Sequence, residues 1–459
     1  MNADSKYETR RVIRVFAWAV CCANLWFCFF ASSNFASAKP VDDKLNHARE
    51  FLANAKWQAA IMQSSQAIAL DPKNSEAYQL RGWAIFCRGK PDVAIKDLNT
   101  AVKLNPNRYE NLISRGEIFR QLADYDESRR DLDAAVRINP NKPDAYYLRG
   151  CTCLLQGLHV RARQDFTDAI KHGKGSLYLA HAYYWRGRTE EMQENYKDAV
   201  VDFSASIKMD PELLPSFVNY SKSGAFIPPP KQKRTNPLGL LERGLSYSLI
   251  GEHAKAIEDL SIVIKASPQE TLLYEKRGNA YLWLGKYSDA LKDFNKALLL
   301  GTESGDVYYH LGLAHFCLKR YDSSAADFSA WLSRTFWQDD SKTPLVAMMN
   351  YTSLKLSGQD VKAKALAGEA AKGMGKSFAW VKSVPKLLNG KISPGQLVLL
   401  TDTKPLKDKT QANCYAGLYY LAERKPEEAL KHFSWVVKHG DRKLHEYSIS
   451  AYETSLISE

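Results

Sequence analysis

Beyond residue 38 the chain has only five cysteines: Cys87, Cys151, Cys153, Cys317 and Cys414. An odd, widely spread set excludes a disulfide framework. Cys151 and Cys153 sit two apart on a predicted helix, so they point to different sides and make a poor metal pair. All five read as small apolar packing residues. Catalytic signatures are also lacking. No H-E-x-x-H, G-x-S-x-G, P-loop or dinucleotide-binding glycine pattern occurs. Gly244-Leu-Ser-Tyr-Ser lacks the second glycine of a nucleophile elbow. The ten histidines are dispersed, and His310 and His315 lie five apart, off the spacing for shared ligation. The expectation is a non-enzyme with no cofactor and no metal.

What is present is ordinary for a soluble chain: 45% hydrophobic and 25% charged residues, which argues against disorder. At 459 residues it is too long for one simple core. The net charge of +12 admits an anionic partner. Its basic residues are scattered at helical spacing, as on a solvated surface, and nucleic acid is not expected.

The first 38 residues stand apart. Lys6, Arg10, Arg11 and Arg14 form a positive start, Val15 to Ala31 carries no charge, and Ala36-Ser37-Ala38 fits a small-x-small cleavage rule. This is a three-part export signal. Cleavage is expected after Ala38, giving a periplasmic or secreted protein. The alternative is an uncleaved membrane anchor. Cys28 follows Trp26-Phe27, which does not fit a lipid-attachment site. Cleavage removes four basic and two acidic side chains, leaving +10.

The rest is periodic. Glycines at Gly82, Gly116, Gly150, Gly187, Gly244, Gly278 and Gly312 are spaced 34, 34, 37, 57, 34 and 34 residues apart. With this glycine as position 8, position 20 is small (Ala94, Ala162, Ala256) and position 24 bulky (Leu98, Phe166, Phe294). Position 32 is often proline (Pro72, Pro106, Pro140, Pro211, Pro268). The pattern resembles the tetratricopeptide repeat (TPR). The resemblance implies an all-α fold of helix-turn-helix units stacked into a right-handed superhelical solenoid. Units fall at 41–74, 75–108, 109–142, 143–176, 180–213, 237–270, 271–304 and 305–338. Weaker units follow at 344–377 and 410–443, and one more degenerate helical unit fits around 378–409. A 23-residue surplus at 214–236, "LPSFVNYSKSGAFIPPPKQKRTN", separates a five-unit array (41–213) from a three-unit array (237–338). It reads as an extended loop or a hinge, depending on whether Phe226 and Ile227 pack. The region 339–459 reads as degenerate TPR-like helix.

A charge ladder repeats with the same period. Arg81, Arg115, Arg149, Arg186, Arg243 and Arg277 each precede by 16 residues an aspartate: Asp97, Asp131, Asp165, Asp202, Asp259 and Asp293. Arginine on one helix and aspartate on the next suggest ion pairs that fix register.

TPR arrays generally bind peptides or partner proteins on a concave face lined by the first helix of each pair. Positions 2, 5, 9, 12 and 13 should line it. Here they supply Trp83, Phe86, Glu117, Arg120, Tyr147, Tyr184, Arg188, Asn279, Trp283, Tyr309 and Phe316. Aromatics and arginine are common anchors of interfaces. The stretch Ser377 to Leu397, "CYAGLYYLAERKPEEALKHFSWVV" and "HEYSIS" are similar to the ends of bacterial envelope TPR adaptor lipoproteins. That likeness implies partners among cell-wall hydrolases or proteases. The reading is an exported, non-catalytic scaffold that holds a partner protein or peptide in its groove. Alternatives are a binder of an anionic cell-wall glycan, or an accessory subunit of a glycosyltransferase or secretion complex.

Overall fold

The computed structural model describes residues 40–174, 178–209, 237–335, 342–374, 380–442 and 444–458. The export signal and the insertion 214–236, with Phe226 and Ile227, lie outside the described residues. The chain forms two compact units, Met1–Gly251 and Glu252–Glu459. The described residues are helical throughout, apart from turns and one 3-10 segment.

In the first unit, helix pairs run Pro40–Ala53 with Trp57–Leu70, Ser75–Cys87 with Pro91–Leu104, Tyr109–Gln121 with Tyr125–Ile138, Pro143–Leu155 with His159–His172, and Tyr178–Met192 with Tyr196–Met209. Helix Pro237–Leu249 ends it. That helix packs on Tyr196–Met209. Arg243 Nη1 donates to Ser204 Oγ at 3.2 Å, so stacking resumes on the far side of the insertion. The division between compact units therefore falls inside the 237–270 repeat and not at 214–236.

In the second unit the pairs are Thr271–Trp283 with Tyr287–Leu299, Asp306–Cys317 with Tyr321–Thr335, Thr343–Leu356 with Asp360–Gly373, and Leu406–Ala422 with Pro426–His439. Helix His253–Ala266 precedes them and helix His445–Ser458 closes the unit. The degenerate helical unit expected near 378–409 holds no full-length helix pair. It is a 3-10 turn, Val381–Ser383, and two short helices, Val384–Leu388 and Pro394–Leu399. Gly390 at φ +67° and Pro394 interrupt it, and Ser393 and Gln396 form a capping box that restarts the chain. Helix Leu406–Ala422 packs directly on Thr343–Leu356, so the irregular segment lies outside the row of first helices.

Local rules explain where the regular helices stop. Among the described residues, the one before a position-32 proline leaves the helical region: Asp71 (φ −139°, ψ 91°), Asn105 (−144°, 89°), Asn139 (−140°, 86°) and Ser267 (−136°, 69°). Proline disfavours the α region in the residue before it, and these backbones comply. The turn inside each pair depends on a left-handed residue at position 15. Gly89, Gly157 and Gly285 supply it without strain, whereas Ala55, Ala123, Glu194, Lys319 and Arg424 adopt it with a side chain.

The contact at position 8 is steric. A Cβ on Gly278 would lie 2.7 Å from the Phe294 ring, and on Gly312 it would lie 2.6 Å from Phe328. The two helices of a pair approach until the position-24 side chain, a ring at Phe294 and Phe328 and a leucine at Leu98 and Leu132, rests on bare backbone.

The arginine ladder closes the frame. Nε and Nη2 of Arg81, Arg115, Arg149, Arg186 and Arg277 fork onto Asp97, Asp131, Asp165, Asp202 and Asp293 at 2.6–3.1 Å. In four of the five the remaining Nη1 reaches position 25 of the preceding repeat. Arg115 reaches Asn99 (3.2 Å), Arg149 reaches Asp133 (2.7 Å), Arg186 reaches Thr167 (3.3 Å) and Arg277 reaches Ser261 (2.9 Å). One guanidinium thus ties its own helix, the second helix of its pair and the repeat before. Arg243 and Asp259 belong to different compact units. At position 7 of the 305–338 repeat Leu311 replaces arginine, and Asp327 is hydrogen-bonded instead to His315 Nδ1 at 2.7 Å.

Overpacking the position-8 contact should destabilise. We expect Gly278→Ala to cost about 1–3 kcal/mol in guanidinium unfolding. Gly368→Ala, on a helix with open space around the added methyl, should be neutral or mildly stabilising. Equal effects of the two substitutions would contradict the steric account.

Candidate partner-binding faces

In the first unit the expected groove residues are mostly consumed by packing. Trp83, Phe86, Glu117, Arg120, Tyr147 and Tyr184 are all buried. Trp83 packs on Phe86 with centroids 5.1 Å apart, and Tyr147 packs on Tyr178 at 5.3 Å. Tyr184 lies 5.4 Å from Trp185 and 5.8 Å from Phe203. Glu117 and Arg120 close on each other, with Nε donating to Oε2 at 2.8 Å, and Gln121 donates to the same carboxylate at 3.1 Å. None of these side chains offers its face to a partner in this state. The reason is geometric. First helices of adjacent repeats lie close enough that positions 5, 9 and 12 fill the gap between them.

Arg188 is different. It is half-buried and meets two carboxylates, Glu191 at 3.0 Å and Glu242 at 2.5 Å, while Ser246 donates to Glu191 at 2.6 Å. Two acids share one guanidinium. Burial, and then the Glu242 carboxylate, hold the Glu191 carboxyl well above the usual range.

In the second unit Tyr309 and Phe316 are again buried, at 1% exposure each, and Asn279 is half-buried. Trp283 keeps 39% of its surface exposed. Its ring stacks between His253, 5.7 Å away and nearly parallel at 6°, and His445, 5.0 Å away at 28°. His445 belongs to the closing helix, which meets positions 5 and 13 of the preceding first helices at Tyr309, Trp283 and Cys317. His445 meets the Tyr309 ring at 5.7 Å. Tyr452 meets Tyr287 at 5.4 Å and donates its hydroxyl to the Cys317 carbonyl. The closing helix is therefore seated where a bound peptide was expected. Beside it remains a cavity of about 360 Å³ lined by Leu282, Trp283, Tyr287, Leu313, Ser448 and Ala451, among others. His253, His445, Tyr452, Glu191 and Glu242 were not visible as site residues in the sequence. Each acts across repeats or from outside the periodic positions.

Cysteine chemistry is not part of these faces. Burial pushes the Cys151 and Cys317 thiols up to about 12 and Cys153 to about 11, so all three are protonated at neutral pH. Among the described residues no helix is long and apolar enough to cross a membrane.

With repeated helix pairs, the glycine contact and the inner face in hand, the class is clear: a helical-repeat protein-interaction scaffold. A family model described as tetratricopeptide repeat matches residues 45–109, 113–176 and 275–340, and the chain is a tetratricopeptide-repeat protein. No curated protein matches it significantly. Among solved structures it is similar to a tetratricopeptide repeat protein from Parabacteroides merdae, at 19% identity and TM-score 0.38, over 60% of this chain and 98% of that one. It is also similar to YrrB, described as a TPR protein with an unusual peptide-binding site, at 14% identity and TM-score 0.39, over 46% and 96%. A third is pilF of Pseudomonas aeruginosa, at 13% identity and TM-score 0.42, over 51% and 95%.

The closing helix carries unusual titration chemistry. Burial raises the Glu453 carboxyl to about 7, against a weak pull from Lys319. Burial also raises Glu446, against hydrogen bonds from Gln411 and Tyr415 and the charge of Lys407. Burial and then Lys342 lower His445 to about 4; burial and then His445 lower His310 to about 3, against the charge of Asp306. A raised carboxyl favours docking at low pH and loses that advantage as pH rises from about 4.5 through 7. A lowered imidazole disfavours docking as pH falls below about 6.5, because the released ring takes up a proton that the docked ring refuses. Docking should thus be strongest near about pH 5–6 and weaker at pH 8. Amide protection factors for 445–458, corrected for intrinsic exchange, should fall between pH 6 and 8. Glu453→Gln should flatten that fall. Protection that increases steadily from pH 6 to 8 would contradict this.

Proposed function

We propose that the chain is an exported, non-catalytic adaptor that anchors an apolar or aromatic side chain of a partner protein beside Trp283. The observation that carries this is the pairing of a half-open indole, held between two imidazoles, with an adjacent cavity of about 360 Å³. Aromatic anchors entering such recesses supply much of the binding energy of protein interfaces. The export pattern at Lys6–Ala38 supports the reading that those partners lie in the bacterial envelope, where cell-wall hydrolases and proteases are the class implied by the likeness of the 377–450 region to envelope adaptors. An N-terminus at Lys39 in the mature protein supports export with cleavage; one at Met1 supports a membrane anchor.

Crosslinking capture from intact cells tests the anchor. Trp283→Ala should weaken recovery of partners at least tenfold, whereas Val160→Ala, an exposed site on the first unit, should not. Unchanged recovery with Trp283→Ala would sink the proposal. Recovery that collapses between 50 and 300 mM salt would favour an anionic glycan ligand over an apolar anchor.

A further inference from the structure

The closing helix is built unlike the helix it packs on. Helix Pro426–His439 buries Ala429, Phe433 and Val436, all apolar. Helix His445–Ser458 buries Glu446, Ile449, Ser450 and Glu453. Three of those four are polar, and two are acids. Burying polar and ionisable groups offsets the gain from burying the apolar ones, so a helix seated on such a stripe is held weakly for its contact area. Its apolar hold on the groove comes from three positions: His445 on Trp283 and Tyr309, Ile449 at 5% exposure, and Tyr452 on Tyr287 and Cys317. These are i, i+4 and i+7, one face of a helix and the spacing by which helical ligands anchor in grooves. The fit is also incomplete. Ser448 and Ala451 face the cavity beside Trp283 with small side chains, leaving it unfilled.

We propose that helix His445–Ser458 is an exchangeable internal ligand, occupying a groove that an amphipathic partner helix with the same i, i+4, i+7 anchors and a bulkier residue in place of Ala451 enters once it is released. The proposal rests on the adaptor reading above and gives it a regulatory step: the groove is closed until the chain's own helix leaves. A partner helix gains what the internal one lacks, an apolar side chain in the cavity, and it need not bury two glutamates. The internal helix has the advantage of being tethered, so its effective concentration is high and free partner must overcome it.

The probe is a labelled peptide of residues 445–458, offered to the full chain. Wild type should bind it weakly. Tyr452→Ala in the chain, which removes one anchor of the internal helix, should raise peptide affinity at least tenfold. The same peptide carrying Ala451→Leu should bind more tightly still. Hydrogen exchange on the same proteins reports release directly. In Tyr452→Ala, exchange should rise in 445–458 while 406–439 stays protected. Faster exchange in 445–458 with no gain in peptide affinity overturns the proposal. So does exchange that rises equally in 406–439, which would make the closing helix an integral part of the core. If Tyr452→Ala leaves exchange unchanged, the triple variant His445→Ala, Ile449→Ala, Tyr452→Ala replaces it, and unchanged exchange there also overturns it. Peptide binding with no partner captured from cells would sink the adaptor reading alone.

Discussion

The arginine at position 7 sets the frame on which the other contacts depend. Its guanidinium donates on two edges at once: a fork to the position-23 aspartate and a third contact to position 25 of the repeat before. Several also lie over a tyrosine ring, as Arg149 does over Tyr146 at 5.5 Å and Arg186 over Tyr183 at 5.5 Å. The aspartates are deeply placed; the Asp165 side chain is 2% exposed and Asp202 5%. A buried carboxylate without its partner is costly, so the pair fixes both the rotation of one helix against its mate and the offset between repeats. With rotation and offset fixed, the position-8 glycine meets the bulky position-24 side chain, and the proline-terminated second helix hands the chain to the next unit.

That same tight stacking determines what is left for binding. In the first unit, close spacing of first helices turns most inner-face aromatics and the Glu117–Arg120 pair into inter-repeat filling. In the second, positions 5 and 13 meet the closing helix. The inner face therefore shows a partner few free anchors, and Trp283 is the expected groove residue that stays substantially exposed. Function in such an array depends less on the composition of the groove than on what already lies in it.

The regular part of the fold was legible because it is local and periodic. A 34-residue count, position-32 prolines and the 16-residue Arg–Asp offset each describe contacts within one repeat or its neighbour. The left-handed turn at position 15 was not legible. Ala55, Ala123, Glu194, Lys319 and Arg424 adopt it although their side chains disfavour it, because the helices on both sides hold the turn. The 378–409 segment kept the spacing of a repeat but carries three prolines and two glycines that forbid a full-length pair. The site was least legible. Side chains at positions expected to face a groove are identical in sequence terms whether neighbouring helices or solvent cover them. The contact of Tyr452 with Cys317 spans 135 residues, a distance at which no periodic pattern speaks.

The central claim is that one arginine couples helices both within and between repeats. A double-mutant cycle tests it directly, using Arg149 with Asp165 inside the repeat and Arg149 with Asp133 in the repeat before. The account predicts coupling of about 0.5–3 kcal/mol for both pairs in equilibrium unfolding, the buried Asp165 pair being the larger. Coupling to Asp165 with none to Asp133 would contradict it, since the arginine would then fix a single helix pair and not the stacking of the array.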